Sequence, residues 1–324
     1  MLGRGAQVLI VGGTRYLGRI LCVQALELGA EVTLLNRGRT ESGWIEAAGY
    51  RVRRVQGERR DPAVLAQALD RTYDAVFDMI AYRPEDIVPM LAPPLAVRTG
   101  HLLVCSTTSV YGPALYQPID EAHPRGPHPA WGEYNRGKNA VEDALEAASA
   151  VRWTVLRPQW VFGPHDYQHL AEYYLVRCAA GLPIWLWHPG VAQLNWTYAP
   201  DLAAAFLQLA GEPRAAGQAF NVCCAETLSG LDLVDLCGQV VGVRPEVRRY
   251  DPEELPAELR GTRLGPVRNL PLACTAERLA GTVAWRPTGM RAALAAIVEW
   301  LRTTGAPSAV QPLPAEAWLN GQRA

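Results

Sequence analysis

Tyr134-Asn135-Arg136-Gly137-Lys138 puts a phenol and an ammonium four residues apart. On a helix that spacing sets both on one face, where they can meet a single hydride donor. The pair suits proton transfer at a carbonyl. A tyrosine alone titrates near about 10, and a neighbouring ammonium favours the phenolate, which makes the group usable as acid or base at neutral pH. Lys138 is the only lysine among thirty-one basic residues, the other thirty being arginine. A chain so biased keeps a lysine where a guanidinium will not serve: a compact point charge on a flexible stem, able to reach ribose hydroxyls beneath a phenol. With twelve tyrosines in 324 positions, a lone lysine falls four residues after one by accident only about 4% of the time, so a chance pair on a surface helix is the weaker reading.

The second chemistry-bearing segment is Gly12-Gly13-Thr14-Arg15-Tyr16-Leu17-Gly18, between an apolar run and a helical one. Gly12 permits a tight turn and Gly18 lets the helix pack close, its N-terminus aimed at a pyrophosphate. Gly12, Thr14, Arg15, Tyr16, Leu17 and Gly18 are the expected cofactor contacts here, against the plainer use of such glycines for steric reasons. The next apolar run ends in Leu35-Asn36-Arg37-Gly38-Arg39, without the acidic residue that binds an adenosine 2′-hydroxyl. A missing carboxylate and added guanidinium groups favour a 2′-phosphate, so Asn36, Arg37 and Arg39 point to NADP, with NAD as the alternative. In Gln56-Gly57-Glu58-Arg59-Arg60-Asp61, Glu58 is placed to reach the adenine amine and Arg59 is expected beside it.

A third cluster, Val104-Cys105-Ser106-Thr107-Thr108-Ser109-Val110-Tyr111-Gly112, puts hydroxyls where a parallel strand delivers side chains to a ligand crevice. Capping of the following turn competes for them.

These groups need a scaffold, and the first half reads as strand and helix in alternation. Gln7 to Val11 and Glu31 to Leu35 are apolar runs around a helical Arg19 to Leu28, which is the βαβ pattern. Further buried-strand runs follow at Ala75 to Met79, Leu102 to Ser106 and Trp153 to Leu156, with helical periodicity at Pro62 to Leu69 and Val141 to Ala148. The fold class expected is α/β: a Rossmann doubly wound parallel sheet over residues 1–164, returning near 195–222, with a smaller substrate-binding lobe over 165–324. In that second half tryptophans crowd at 185, 187 and 196, and helical runs appear at Pro200 to Leu209 and Leu231 to Val241.

The balance of thirty-one basic and thirty-two acidic residues leaves no net field to gather phosphate backbones, which argues against bulk nucleic-acid binding. The arginines at 51, 53, 54, 59 and 60 read as a solvated edge. Apolar stretches fall short of the ~20 residues that span a bilayer, and no signal-peptide pattern precedes them, so no membrane and a cytoplasmic location are expected. Seven cysteines without a CxxC pair point to reduced thiols. His165 and His169 stand four apart but lack the glutamate of an HExxH, and no metal is expected.

Taken together, GGTRYLG at 12–18, STTSVYG at 106–112, YNRGK at 134–138, LRPQWVFGP at 156–164, NWTYAPDLA at 195–203, FNV at 220–222 and AWRPT at 284–288 resemble the extended short-chain dehydrogenase/reductases of the NAD-dependent epimerase/dehydratase type. The resemblance runs through nearly the whole chain. It implies a substrate-polarising Thr107, an acid/base Tyr134 and a cofactor-binding, pKa-lowering Lys138. It also implies that Ala81 and Pro158 touch the cofactor, Pro158 against the nicotinamide, and that a homodimer forms through helices. Thr108 and Ser109, at substrate positions, replace the Asp-Glu pair of the dehydratases, so dehydration by that route lacks its acid. Trp160 and Leu194 stand where many members hold a diphosphate with Asn and Arg. With Trp196 they are expected to meet the substrate, which becomes a small carbonyl or alcohol, with tryptophans 185 and 187 as further apolar surface. Arg177 or Arg268 would carry phosphates if the substrate were a nucleotide sugar after all. The arginine of GGTRYLG and the NRG after the second strand are also similar to the chloroplast stem-loop RNA-binding branch of the superfamily. The expected activity is that of an NADP-dependent oxidoreductase, with a nucleotide-sugar epimerase or an RNA-binding protein on the same fold as alternatives.

Overall fold

Short, wholly apolar segments at regular spacing become strands that are covered on both faces. The computed structural model describes residues 2–93, 96–260, 264, 270–305 and 314–322. In chain order it runs β1 (Gln7–Val11), α1 (Tyr16–Glu27), β2 (Glu31–Asn36), α2 (Trp44–Ala47), β3 (Arg53–Gln56), α3 (Pro62–Ala68), β4 (Ala75–Asp78), α4 (Pro84–Leu91), β5 (Leu102–Cys105), α5 (Gly132–Glu146) and β6 (Trp153–Pro158). There follow β7 (Val161–Phe162), α6 (Leu170–Ala179), β8 (Ile184–Trp187), β9 (Thr197–Tyr198), α7 (Ala199–Leu209), β10 (Gln218–Val222), α8 (Gly230–Val241), β11 (Val247–Tyr250), α9 (Glu277–Thr282), α10 (Met290–Thr304) and α11 (Pro314–Gln322).

Seven strands form one parallel sheet in the order β10-β6-β5-β4-β1-β2-β3, the doubly wound topology expected. The order reverses between β1 and β4, and in such sheets ligands bind outside the carboxyl ends of the strands at that point. Val11 pairs there with Leu35 on one side and Asp78 on the other, and Asp78 in turn faces Val104. Alternate strand residues feed two layers. Leu9, Val11, Val76 and Val104 pack with Leu65, Ile87, Met90, Val141 and Leu145 from α3, α4 and α5. On the opposite face α7 sets Phe206 edge-on against Phe77, with centroids 6.1 Å apart.

The chain divides into two compact units. The first holds residues 1–159, 199–223 and 275–287, and with them the whole seven-stranded sheet; the second holds 160–198, 224–274 and 288–324. In the first, the indole of Trp285 donates to the Asp201 carbonyl at 2.9 Å, which ties the last returning segment to α7. In the second, α6, α8 and α10 enclose a core that includes Tyr174, Leu233, Leu294 and Trp196. No helix among the described residues is long and apolar enough to cross a membrane.

Helix α5 begins at Gly132, nine residues ahead of the helical run that apolar periodicity marks at Val141. Its first two turns are polar, and the residues they bury are Asn135 and Lys138 in place of apolar side chains.

Candidate active site

The Tyr134/Lys138 pair lies on α5. Tyr134 is 43% exposed while Lys138, one turn later, is 2% exposed. The lysine Nζ donates to the carbonyl of Ala81, just beyond β4, at 2.8 Å and to that of Cys105, at the end of β5, at 2.7 Å. Gly137 makes this approach possible, because a Cβ there would lie 2.3 Å from the Tyr82 carbonyl oxygen. Burial pulls the Lys138 ammonium below the ordinary lysine range, against the opposing pull of the Cys105 sulfur and the carboxylates of Asp78, Glu142 and Asp86. The same desolvation pushes the Cys105 thiol up to about 11, so it stays protonated at neutral pH.

Thr107 follows β5 and is nearly buried. Its Oγ1 accepts the backbone N–H of Ser109 at 3.1 Å, capping the short 3-10 turn Thr108–Val110. A hydroxyl that accepts there still has its hydrogen to donate, so capping and polarisation of a substrate oxygen use different parts of one group. Thr108 and Ser109 lie within that turn, both buried. Beneath them Ser106 donates to the Glu142 carboxylate at 2.5 Å, and Arg157 of β6 holds the same carboxylate with its Nε and Nη2. Arg157 also donates to Tyr111 Oη at 3.0 Å, which donates to Asn221 of β10 at 2.7 Å. Ser106 and Arg157 lie inside quoted motifs without having been given a role of their own, and Glu142 lies outside them. Glu142 has a sequence signal, being four residues after Lys138 and eight after Tyr134 on one helical stripe; Arg157 has another, as a charge inside the apolar run WTVLRP that demands a partner.

The glycine turn joins β1 to α1. Gly12 takes φ +89°, and a Cβ on Gly18 would stand 2.0 Å from the Gly12 carbonyl oxygen. Helix α1 starts at Tyr16, which takes φ +46°, and Arg15 at its N-cap offers no side-chain cap. Its first turn carries no acidic residue, so its N–H groups suit an anionic group. Thr14 and Tyr16 are buried, Leu17 is half-buried and Arg15 is exposed.

At the end of β2, Asn36 Oδ1 accepts the Gly38 N–H at 2.9 Å and bends the chain. That bend turns out Arg37 and Arg39, both exposed, and neither makes an ion pair among the described residues. Glu58, past β3, is exposed as well. Arg59 differs. It is 6% exposed and forms a two-pronged pair with Asp78 of β4, with one prong at 2.8 Å, while its Nη2 also donates to the Asp86 carbonyl. Its charge is met inside the protein by Asp78. Elsewhere on the arginine edge, Arg53 pairs with Asp70, Arg54 with Glu46 and Arg60 with Asp86. Ala81 and Pro158 sit buried just past β4 and at the end of β6.

Among the residues expected to meet substrate, Trp160 is half-buried at φ +41° in the second unit. Leu194 and Trp196 are each 1% exposed; they belong to the core, Trp196 stacking on Trp160 and meeting Phe162 edge-on at 5.7 Å. Trp185 is also 1% exposed, and of this group Trp187 is the exposed one. Such burial leaves Leu194 and Trp196 little surface to offer a ligand. Arg177 pairs with Glu316 at 3.2 Å and donates to the Pro183 carbonyl, so it is not placed to carry a phosphate. Arg268 lies outside the described residues. His169 Nδ1 meets Glu172 at 2.8 Å and His165 stacks edge-on against Trp300. No group of three or more His, Cys, Asp or Glu among the described residues could hold a metal ion.

The chain is 26% identical over 295 residues to the chloroplast stem-loop binding protein of 41 kDa b from Arabidopsis thaliana, covering 87% of this chain and 75% of that protein. It is similar in structure to the UDP-glucose 4-epimerase of Thermus thermophilus, solved with NAD, at 20% identity and a TM-score of 0.72, covering 93% of this chain and all of that one. It is similar also to dTDP-glucose 4,6-dehydratase from Bacillus anthracis str. Ames, solved with NAD, at 16% identity and a TM-score of 0.76, covering 92% of this chain and 97% of that one. The profile of the NAD dependent epimerase/dehydratase family matches residues 8–89 and 90–223. Matched across two thirds of its length, the chain belongs to the NAD dependent epimerase/dehydratase family of extended short-chain dehydrogenase/reductases.

Proposed function

We propose that the protein transfers hydride between NADP(H) and a carbonyl or secondary alcohol of a small metabolite. The observation that carries this reading is the sealed ammonium of Lys138 at the carboxyl ends of β4 and β5, one helical turn from a solvent-accessible phenol. A cation in a dry site acts on a nearby phenol more strongly than it would in water.

The uncapped N-terminus of α1 fits a pyrophosphate, and the bound nicotinamide supplies or accepts the hydride. In the reducing direction the Tyr134 hydroxyl donates its proton to the substrate oxygen and Thr107 donates a hydrogen bond to that oxygen; in the oxidising direction the phenolate takes the proton back. The exposed Arg37 and Arg39, with Arg15, favour a 2′-phosphate.

The substrate reading rests on Trp160, which offers no charge-assisted bond to a diphosphate, and on Arg177, which is already paired. Stem-loop binding, which the Arabidopsis relative is named for, is disfavoured because Arg53, Arg54, Arg59 and Arg60 are paired with carboxylates. Tyr134→Phe is the test, assayed as NADPH consumption over a panel of small aldehydes and ketones. Turnover is expected to fall by about 10²-fold or more with NADPH affinity nearly intact. Unchanged turnover would remove Tyr134 from the chemistry.

A further inference from the structure

An ammonium has three N–H donors, and the first two of Lys138 are taken by the carbonyls of Ala81 and Cys105. The third side of the group is covered by an aromatic face: Nζ lies 4.5 Å from the centroid of the Tyr82 ring, within the range of a cation–π contact. That ring also lies 6.3 Å from the ring of Tyr134. With these three partners the only lysine of the chain is 2% exposed.

The three partners differ in how firmly they are held. Cys105 ends β5 and is paired with Leu156 in the sheet. The Tyr82 backbone, directly after Ala81, is clamped as well: its N–H donates to Asp86 Oδ2 at 2.8 Å, and its carbonyl oxygen sits where only a glycine at 137 leaves room. Tyr82 as a residue is 46% exposed, so its ring borders solvent, with room to turn about χ1. A hydroxyl arriving at Nζ must displace one of the three, and the ring is the partner that moves without breaking the sheet.

We propose that the Tyr82 ring is a displaceable cap on Lys138: it covers the ammonium in the free protein and swings away when ribose hydroxyls of the cofactor take its place. The second half of this proposal rests on the reading of Lys138 as the cofactor-holding group; the first half does not. Until the cofactor arrives, the cap keeps water and other acceptors from the ammonium. Part of the cofactor's binding energy then goes to displacing the ring, so the free protein binds more weakly than one without the cap.

Because Lys138 is the only lysine, its acylation by an N-hydroxysuccinimide acetate, located by peptide mass spectrometry, reports on this one side chain. The seven cysteines are all buried and serve as an internal control for opening of the whole fold, read with a thiol-specific disulfide reagent. In the free protein, Tyr82→Ala is expected to raise the Lys138 acylation rate tenfold or more with the thiols still protected, and Tyr82→Phe, which keeps the ring, to stay within twofold of the parent. Equal rates in all three proteins, or a gain accompanied by thiol exposure, would overturn the cap. In the second arm NADPH is titrated into each protein. Binding threefold or more tighter in Tyr82→Ala than in the parent supports displacement, and equal or weaker binding overturns it. Failure of the parent and both variants to bind either NADPH or NADH would instead defeat the cofactor reading, and the acylation rates would still decide the cap.

Discussion

Lys138 occupies a space cut to an ammonium, with carbonyl oxygens 2.7 and 2.8 Å away and an aromatic face opposite. A guanidinium is larger, planar and wants its donors met in a fork, so it cannot meet those carbonyls from the same stem. Lys138→Arg is therefore expected to lower turnover by roughly tenfold or more despite keeping the positive charge, measured as steady-state rates on a carbonyl that the parent reduces. An arginine variant as active as the parent would contradict the fit. At this scale the placement of Tyr134 and Lys138 on one helix was legible from their spacing. Arg59 was not, since its partner Asp78 stands nineteen residues away on a different strand and nothing local marks the pairing. The burial of Leu194 and Trp196 was equally out of reach, because an apolar side chain looks the same in sequence whether it lines a crevice or fills a core.

The central strands were readable as elements because each is a short apolar run buried on both faces: β1 spans Gln7–Val11 and β5 Leu102–Cys105, within a residue of expectation. Helix α5 was readable only in its second half. Its first half is held by Asn135, Lys138 and their backbone acceptors, contacts that leave no apolar period. A similar polar tie connects β5 and β6. His101 accepts the Gly211 N–H on Nδ1 at 3.1 Å, so its Nε2–H donates to Thr154 Oγ1 at 2.8 Å. Protonation would set a second N–H against that of Gly211. Burial first, with Arg152 nearby, pulls the ring down to about 3. The neutral form is the folded one, so this contribution is complete above the ordinary histidine value near about 6.5 and is lost as pH falls from there toward 3. Unfolding in denaturant at pH 7 and pH 5 should show the parent losing about 2 kcal/mol more than His101→Gln between the two. Parallel losses would show that the ring does not titrate with unfolding.

Across the whole molecule the near-balance of charge is built locally, from arginines matched to carboxylates along the β3 edge, while Arg37 and Arg39 at the end of β2 are left without such partners among the described residues. The interleaving of two units was only partly visible in sequence. The composition shift suggests a boundary after Gly163-Pro164, whereas the first unit runs to residue 159 and returns a second time at 275–287; that segment is short and is fixed by contacts such as Trp285 to Asp201, not by a pattern of its own. The distribution of charge makes cofactor choice a property of the first unit as a whole: an anion-ready α1, no carboxylate at the end of β2 and two arginines in its place. Calorimetric titration of the purified protein with NADPH and NADH tests this most directly. The account predicts that both bind at one site, NADPH more tightly by roughly 1 to 3 kcal/mol, the scale of charge-assisted hydrogen bonds, with Arg37→Ala erasing much of the difference. Equal or reversed affinities would refute the 2′-phosphate site, and binding of neither nucleotide would contradict the nicotinamide chemistry assigned to Tyr134, Lys138 and Thr107.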